Sequence, residues 1–90
     1  MKIIILDGNK IKNTKHFHKA FIKALDLPRS YGKNLDALND VLTSAQEEIG
    51  IIAVNTSVLS ETLGSRWQSF LQLMEDVDLE KSNIHFTIPF

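Results

Sequence analysis

Asp36 and Asp40 lie four residues apart in the segment Leu27-Pro28-Arg29-Ser30-Tyr31-Gly32-Lys33-Asn34-Leu35-Asp36-Ala37-Leu38-Asn39-Asp40-Val41-Leu42. On a helix that spacing brings their Cβ atoms to about 5–6 Å. Like charges so placed cost an isolated helix roughly 0.2–0.5 kcal/mol, so helix stability does not account for the pair, whereas a cationic partner does. Catalysis would require a base or nucleophile held in a cleft, and no histidine or lysine stands in an obvious supporting role here. Carboxylates on an exposed helix can instead present negative charge to a cationic partner. The plainer reading, solvated acids near a helix N-terminus, fits the two residues taken alone.

Other chemistry is sparse. The histidines are His16, His18 and His85, and residues two apart on a helix face different sides, so no metal site is expected. The chain has no cysteine, which excludes a disulfide framework and thiolate ligands. Gly8, Gly32, Gly50 and Gly64 are isolated and build no phosphate-cradling loop, so no cofactor is expected. Gly32 reads as a turn position that would bring Tyr31 and Asp36 to one surface.

The elements that must hold the acids follow from periodicity. Asn34 is a good N-cap, Asp36 sits where the macrodipole favours an anion, and Leu35, Leu38 and Leu42 mark a buried stripe, predicting a helix over about 35–44. Lys2 to Leu6 is a short β-branched run closed by Asp7-Gly8, predicted as a central or parallel strand. From Thr14 as cap, Phe17, Phe21, Ala24 and Leu25 mark a helix that ends by Leu27, before Pro28. Gly50 to Asn55 reads as a second buried strand, and Ser57 to Leu63 as a short helix closed by Gly64. With Ser65 as cap, Trp67, Phe70, Leu71, Met74 and Val77 outline the longest helix, and Asn83 or Ile84 to Ile88 a closing strand. The order strand, helix, helix, strand, helix, helix, strand implies an α/β fold with a three-stranded parallel sheet and about four helices.

Ninety residues, 43% hydrophobic, suffice for one domain spanning 1–90. The run at Met1–Leu6 is too short for a signal core or a membrane span, so a cytoplasmic location and no membrane partner are expected. Net charge is −1 but uneven: residues 1–33 carry eight Lys/Arg and two Asp, residues 34–90 two Lys/Arg and nine Asp/Glu. The acidic part can steer a basic partner. Lys15, Lys19 and Lys23 read as a solvated helix stripe, not a nucleic-acid surface.

The Leu-Pro opening, Tyr31-Gly32, Asn34-Leu35-Asp36-Ala37-Leu38, Asp40 and Leu42 resemble the recognition segment of the barstar family, intracellular inhibitors of secreted ribonucleases. A weaker register extends through the helix with His18, the strand near Ile51 and a last helix with Gln72, Asp76 and Glu80. The resemblance implies a barstar-like fold and a one-to-one inhibitor of a microbial ribonuclease or related nuclease toxin, monomeric when free. It implies Asp40 as the central anion in the enzyme's phosphate site, with Tyr31, Gly32, Asn34, Leu35 and Asp36 around it. Asp76 falls at the matching acidic position of the last helix, and Glu80 extends the field. The chain departs from the family's well-known form at Ser30 and Asn39, which replace aromatics at partner-facing positions, and at Arg29 and Lys33, which put positive charge into an otherwise acidic loop. Two other readings stay open: a barstar-like interaction or regulatory module for a non-nuclease protein, and a small enzyme whose turnover would vanish when Asp36 or Asp40 becomes Asn.

Overall fold

The computed structural model describes residues 1–89; Phe90, the last position of the expected domain, lies outside them. The elements are β1 (Lys2–Asp7), α1 (Thr14–Leu25), α2 (Leu35–Ser44), β2 (Ile49–Val54), α3 (Thr56–Leu63), α4 (Ser65–Glu80) and β3 (Ile84–Thr87). The strands form one parallel sheet in the order β1-β2-β3, with Ile4 opposite Ile51 and Ile51 opposite Phe86. The expected α/β architecture is therefore present.

β1 is parallel but not central; it forms an edge. The run Ile3-Ile4-Ile5-Leu6 suggests burial on both faces, yet only Ile4 and Leu6 are buried, while Ile3 and Ile5 are 51% and 59% exposed. Alternation along a strand explains the split. The helices cover the face carrying Ile4, Leu6, Ile51, Ala53 and Ile84, and these residues form one core cluster with Phe17, Phe21, Leu38, Leu42, Leu59 and Phe70. Phe70 of α4 is the hub: its ring centroid lies 5.0 Å from Phe17, 5.4 Å from Trp67 and 5.7 Å from Phe86. Such aromatic pairs add to what area burial alone contributes.

The helix ends show local chemistry at work. α1 is capped by Asn13, whose side chain accepts from the His16 N–H at 2.8 Å. His16 answers by accepting the Lys12 N–H on Nδ1, so Thr14 is the first helical residue and not the cap. Asp26 ends α1 in the left-handed region at φ 54°, a conformation short polar side chains tolerate. Ser65 likewise lies inside α4, whose cap is Gly64 at φ 58°. Gly8 is required where β1 leaves the sheet, because a Cβ there would drive into the Asn55 carbonyl oxygen.

Candidate functional site

Asn34 builds the start of α2 as expected, its Oδ1 accepting the Ala37 N–H at 2.8 Å. Leu38 and Leu42 are fully buried, which fixes the roll of α2 and leaves Asp36 and Asp40 exposed. Residues 36 and 40 thus share the outward side for the reason a buried leucine stripe dictates.

α2 packs against α4, and between them runs a groove of about 530 Å³. Leu35, Asp36 and Asn39 line one wall, while Gln72, Asp76 and Glu80 line the other. Residues distant in the chain are thereby brought together, and the carboxylates of Asp36, Asp76 and Glu80 face one concavity. Asp76 is steadied by Gln72, whose Nε2 donates to Oδ1 at 3.2 Å one turn away. Asp40 stands outside the groove lining on the exposed continuation of α2. Among the described residues Lys2 pairs with Glu47 and His85 Nε2 hydrogen-bonds to Glu48; Asp36, Asp40, Asp76 and Glu80 have no internal cation.

Such a surface keeps its negative field directed outward. Among the described residues no cluster of three potential metal ligands occurs.

The loop before α2 differs from expectation in two respects. Tyr31 is an interior residue, 7% exposed, its ring beside His18 and its hydroxyl 2.7 Å from His18 Nδ1. Burial pushes the Tyr31 hydroxyl pKa up to about 12 and lowers that of His18, because desolvation disfavours both charged forms. A neutral imidazole pairs with the Tyr31 hydroxyl in either tautomer, Nδ1 accepting from the O–H or its N–H donating to the oxygen. Tyr31 and Asp36 therefore do not share a surface; the tyrosine anchors the loop from beneath. The left-handed residue of the turn is Lys33, at φ 54°, and not Gly32. Gly32 is exposed, and a Cβ there would come within 3.3 Å of the Ala37 Cβ.

Sequence reasoning did not single out Ser69, Leu73 and Leu79, which also line the groove. Leu79 is 87% exposed, and a leucine outside the apolar stripe was the available signal. Nor did it single out Arg66, which joins the already noted Lys33 in lining a second hollow of about 430 Å³ with His18 and Leu35.

One parallel sheet with helices on one face thus carries carboxylates that pair with no cation among the described residues. The family model Barstar (barnase inhibitor) matches residues 1–90, and the chain belongs to that family. It is also 32% identical over 81 residues to the Bacillus subtilis (strain 168) protein named "Putative ribonuclease inhibitor YrdF", covering 89% of each chain. These matches support a role of the barnase-inhibitor type. No helix among the described residues is long and apolar enough to cross a membrane.

Proposed function

We propose that this protein is a cytoplasmic, one-to-one inhibitor of a ribonuclease or related nuclease toxin, acting as a single domain and catalysing nothing itself. The observation that carries the reading is the set of carboxylates on α2 and α4, Asp36, Asp40, Asp76 and Glu80, exposed or at the groove and unpaired among the described residues. A ribonuclease must hold cationic groups around the scissile phosphate to stabilise developing charge. Asp40, on the exposed end of the acid row, enters that phosphate site, while Asp36, Asp76 and Glu80 engage the cations around it and exclude RNA. Asn34, Leu35, Gly32 and Asn39 form the uncharged surround. Tyr31 contributes by holding the loop, not by touching the enzyme.

The work of recognition is pre-organised. Leu38, Leu42 and the Asn34 cap set the α2 carboxylates before the partner arrives, so little ordering is required at binding. The field accelerates encounter at low salt and fades as ions screen it.

Mixing with a purified barnase-type ribonuclease tests the reading. RNA cleavage should fall linearly to one equivalent of inhibitor, and Asp40→Ala should weaken inhibition far more than Lys15→Ala, since truncating one partner of a desolvated charge pair costs about 2–5 kcal/mol. Undiminished cleavage in the presence of excess folded protein would overturn it. A second reading, a module for a non-nuclease protein, draws support from the Lys33–Arg66 hollow beside the acidic groove, a mixed-charge surface that a purely cationic cleft does not match. Capture of a defined non-nuclease protein, lost in the Asp36→Asn variant, distinguishes it.

A further inference from the structure

β1 is left with an unpaired edge. The Lys2 N–H donates to Glu48 and the Gly8 N–H to Val54, so by the two-residue period the even positions of β1 face β2. The N–H and C=O groups of Ile3 and Ile5 consequently point away from the sheet, and no strand pairs with them among the described residues. An exposed edge of this kind is a template for a further strand. Along it, between β1 and α1, runs an open groove of about 540 Å³. Ala20 and Ala24 of α1 leave the space, and along it Lys10, Lys19 and Lys23 outnumber the one acid, Asp7, whose carboxylate is held by the Asn9 N–H and the Asn55 side chain. None of these lysines has an ion-pair partner among the described residues.

We propose that the β1 edge and its groove form a second docking site, which accepts an extended segment of another protein that alternates apolar and acidic residues. The strand would pair with the free backbone groups of Ile3 and Ile5, a recognition mode in which main-chain hydrogen bonds give affinity and alternate side chains give specificity. Its apolar side chains would lie beside the exposed Ile3 and Ile5, and its carboxylates would meet Lys19 and Lys23, one turn apart on α1. Charge selects this occupant. A second copy pairing β1 with β1 would bring two lysine-rimmed grooves together, which like-charge repulsion opposes. Single-stranded RNA would satisfy the lysines but has no use for the isoleucines or the strand edge, and the one aromatic ring in the groove lining, His16, is held by the Lys12 N–H and makes no platform for successive bases. The site shares no lining residue with the acidic groove between α2 and α4, so both can be filled at once.

The probe is a six-residue capped peptide alternating Glu and Val, titrated into isotope-labelled full-length protein with amide resonances observed. Expected are shifts and slowed hydrogen exchange at the Ile3 and Ile5 amides, with roughly tenfold weaker binding by the Lys19→Glu, Lys23→Glu double variant. An alternating Lys and Val peptide should not bind. Nuclease inhibition by the double variant should match the unaltered protein, which separates failure of this site from failure of the inhibitor reading. Equal binding of both peptides, no protection at Ile3 and Ile5, self-association through the groove without peptide, or tighter binding of a short RNA would each overturn the proposal.

Discussion

Changing Tyr31 to Phe removes one oxygen atom and should cost about 2 kcal/mol. The residue is 7% exposed and its partner His18 5%, so water cannot replace the lost 2.7 Å bond. Removing one partner leaves the His18 ring nitrogen buried and unsatisfied, which costs about 1–3 kcal/mol and exceeds the roughly 0.5–1.5 kcal/mol net of an ordinary hydrogen bond. At this chain length a loss of that size lowers Tm by ~10 °C. Urea unfolding followed by the fluorescence of Trp67, the single and buried tryptophan, gives the difference directly. His18→Leu should then cost less in the Tyr31→Phe background than alone, because the two side chains share one interaction. The same experiment carries a pH signature. Burial lowers the folded pKa of His18, so the unfolded chain takes up a proton near pH 6.5 while the folded chain resists. Stability from this group is complete above about pH 6.5 and declines as pH falls toward the lowered folded value, at up to about 1.4 kcal/mol per pH unit. A Tyr31→Phe variant within about 0.5 kcal/mol of the parent at neutral pH would refute the claim that the tyrosine anchors the loop.

Three further outcomes are expected. Asp36→Asn combined with Asp76→Asn should change stability by no more than about 0.5 kcal/mol, because relief of like-charge repulsion offsets the lost attraction of Asp36 to the α2 N-terminus, while slowing association with a cationic nuclease at low salt, as measured by stopped-flow mixing; unchanged stability with slower association separates a recognition surface from a structural one. Asn34→Ala should destabilise by ~1 kcal/mol through loss of the α2 cap, read by urea unfolding, and weaken inhibition as the loop and helix start lose their fixed geometry. Gly8→Ala should cost about 1–3 kcal/mol by thermal unfolding, since the added methyl group meets the Asn55 backbone and the Val58 Cβ.

Local signals in the chain predicted what local forces decide. The bounds of α2 followed from Asn34 and the leucine stripe because a cap and a buried face act within a few residues. The aromatic spacing of α4 located the core for the same reason, although Leu71 is only partly buried. Strand order is a different kind of fact. Whether Ile3-Ile4-Ile5 is covered on one side or two depends on where α1 and α4 pack, and nothing within the run encodes that. Tyr31 shows the limit again at the candidate site: a tyrosine after a proline turn and before a polar cap is compatible with facing either way, and His18, thirteen residues earlier, settles it by offering a buried hydrogen-bond partner. The meeting of Asp36 with Asp76 likewise depends on α2 lying against α4, a long-range contact visible only once both helices are placed. The caps shifted by one residue, from Thr14 to Asn13 and from Ser65 to Gly64, because adjacent polar or flexible residues compete for the same role.

The two walls of the acidic groove come from helices at positions 35–44 and 65–80, and this has a consequence during synthesis. A ribosome that has delivered α2 but not α4 has made only half a concavity, with Leu38 and Leu42 still uncovered. The concavity is therefore completed in a single event, when α4 emerges and docks. Loosening α4 alone would open it again, without touching the aspartates of the earlier helix.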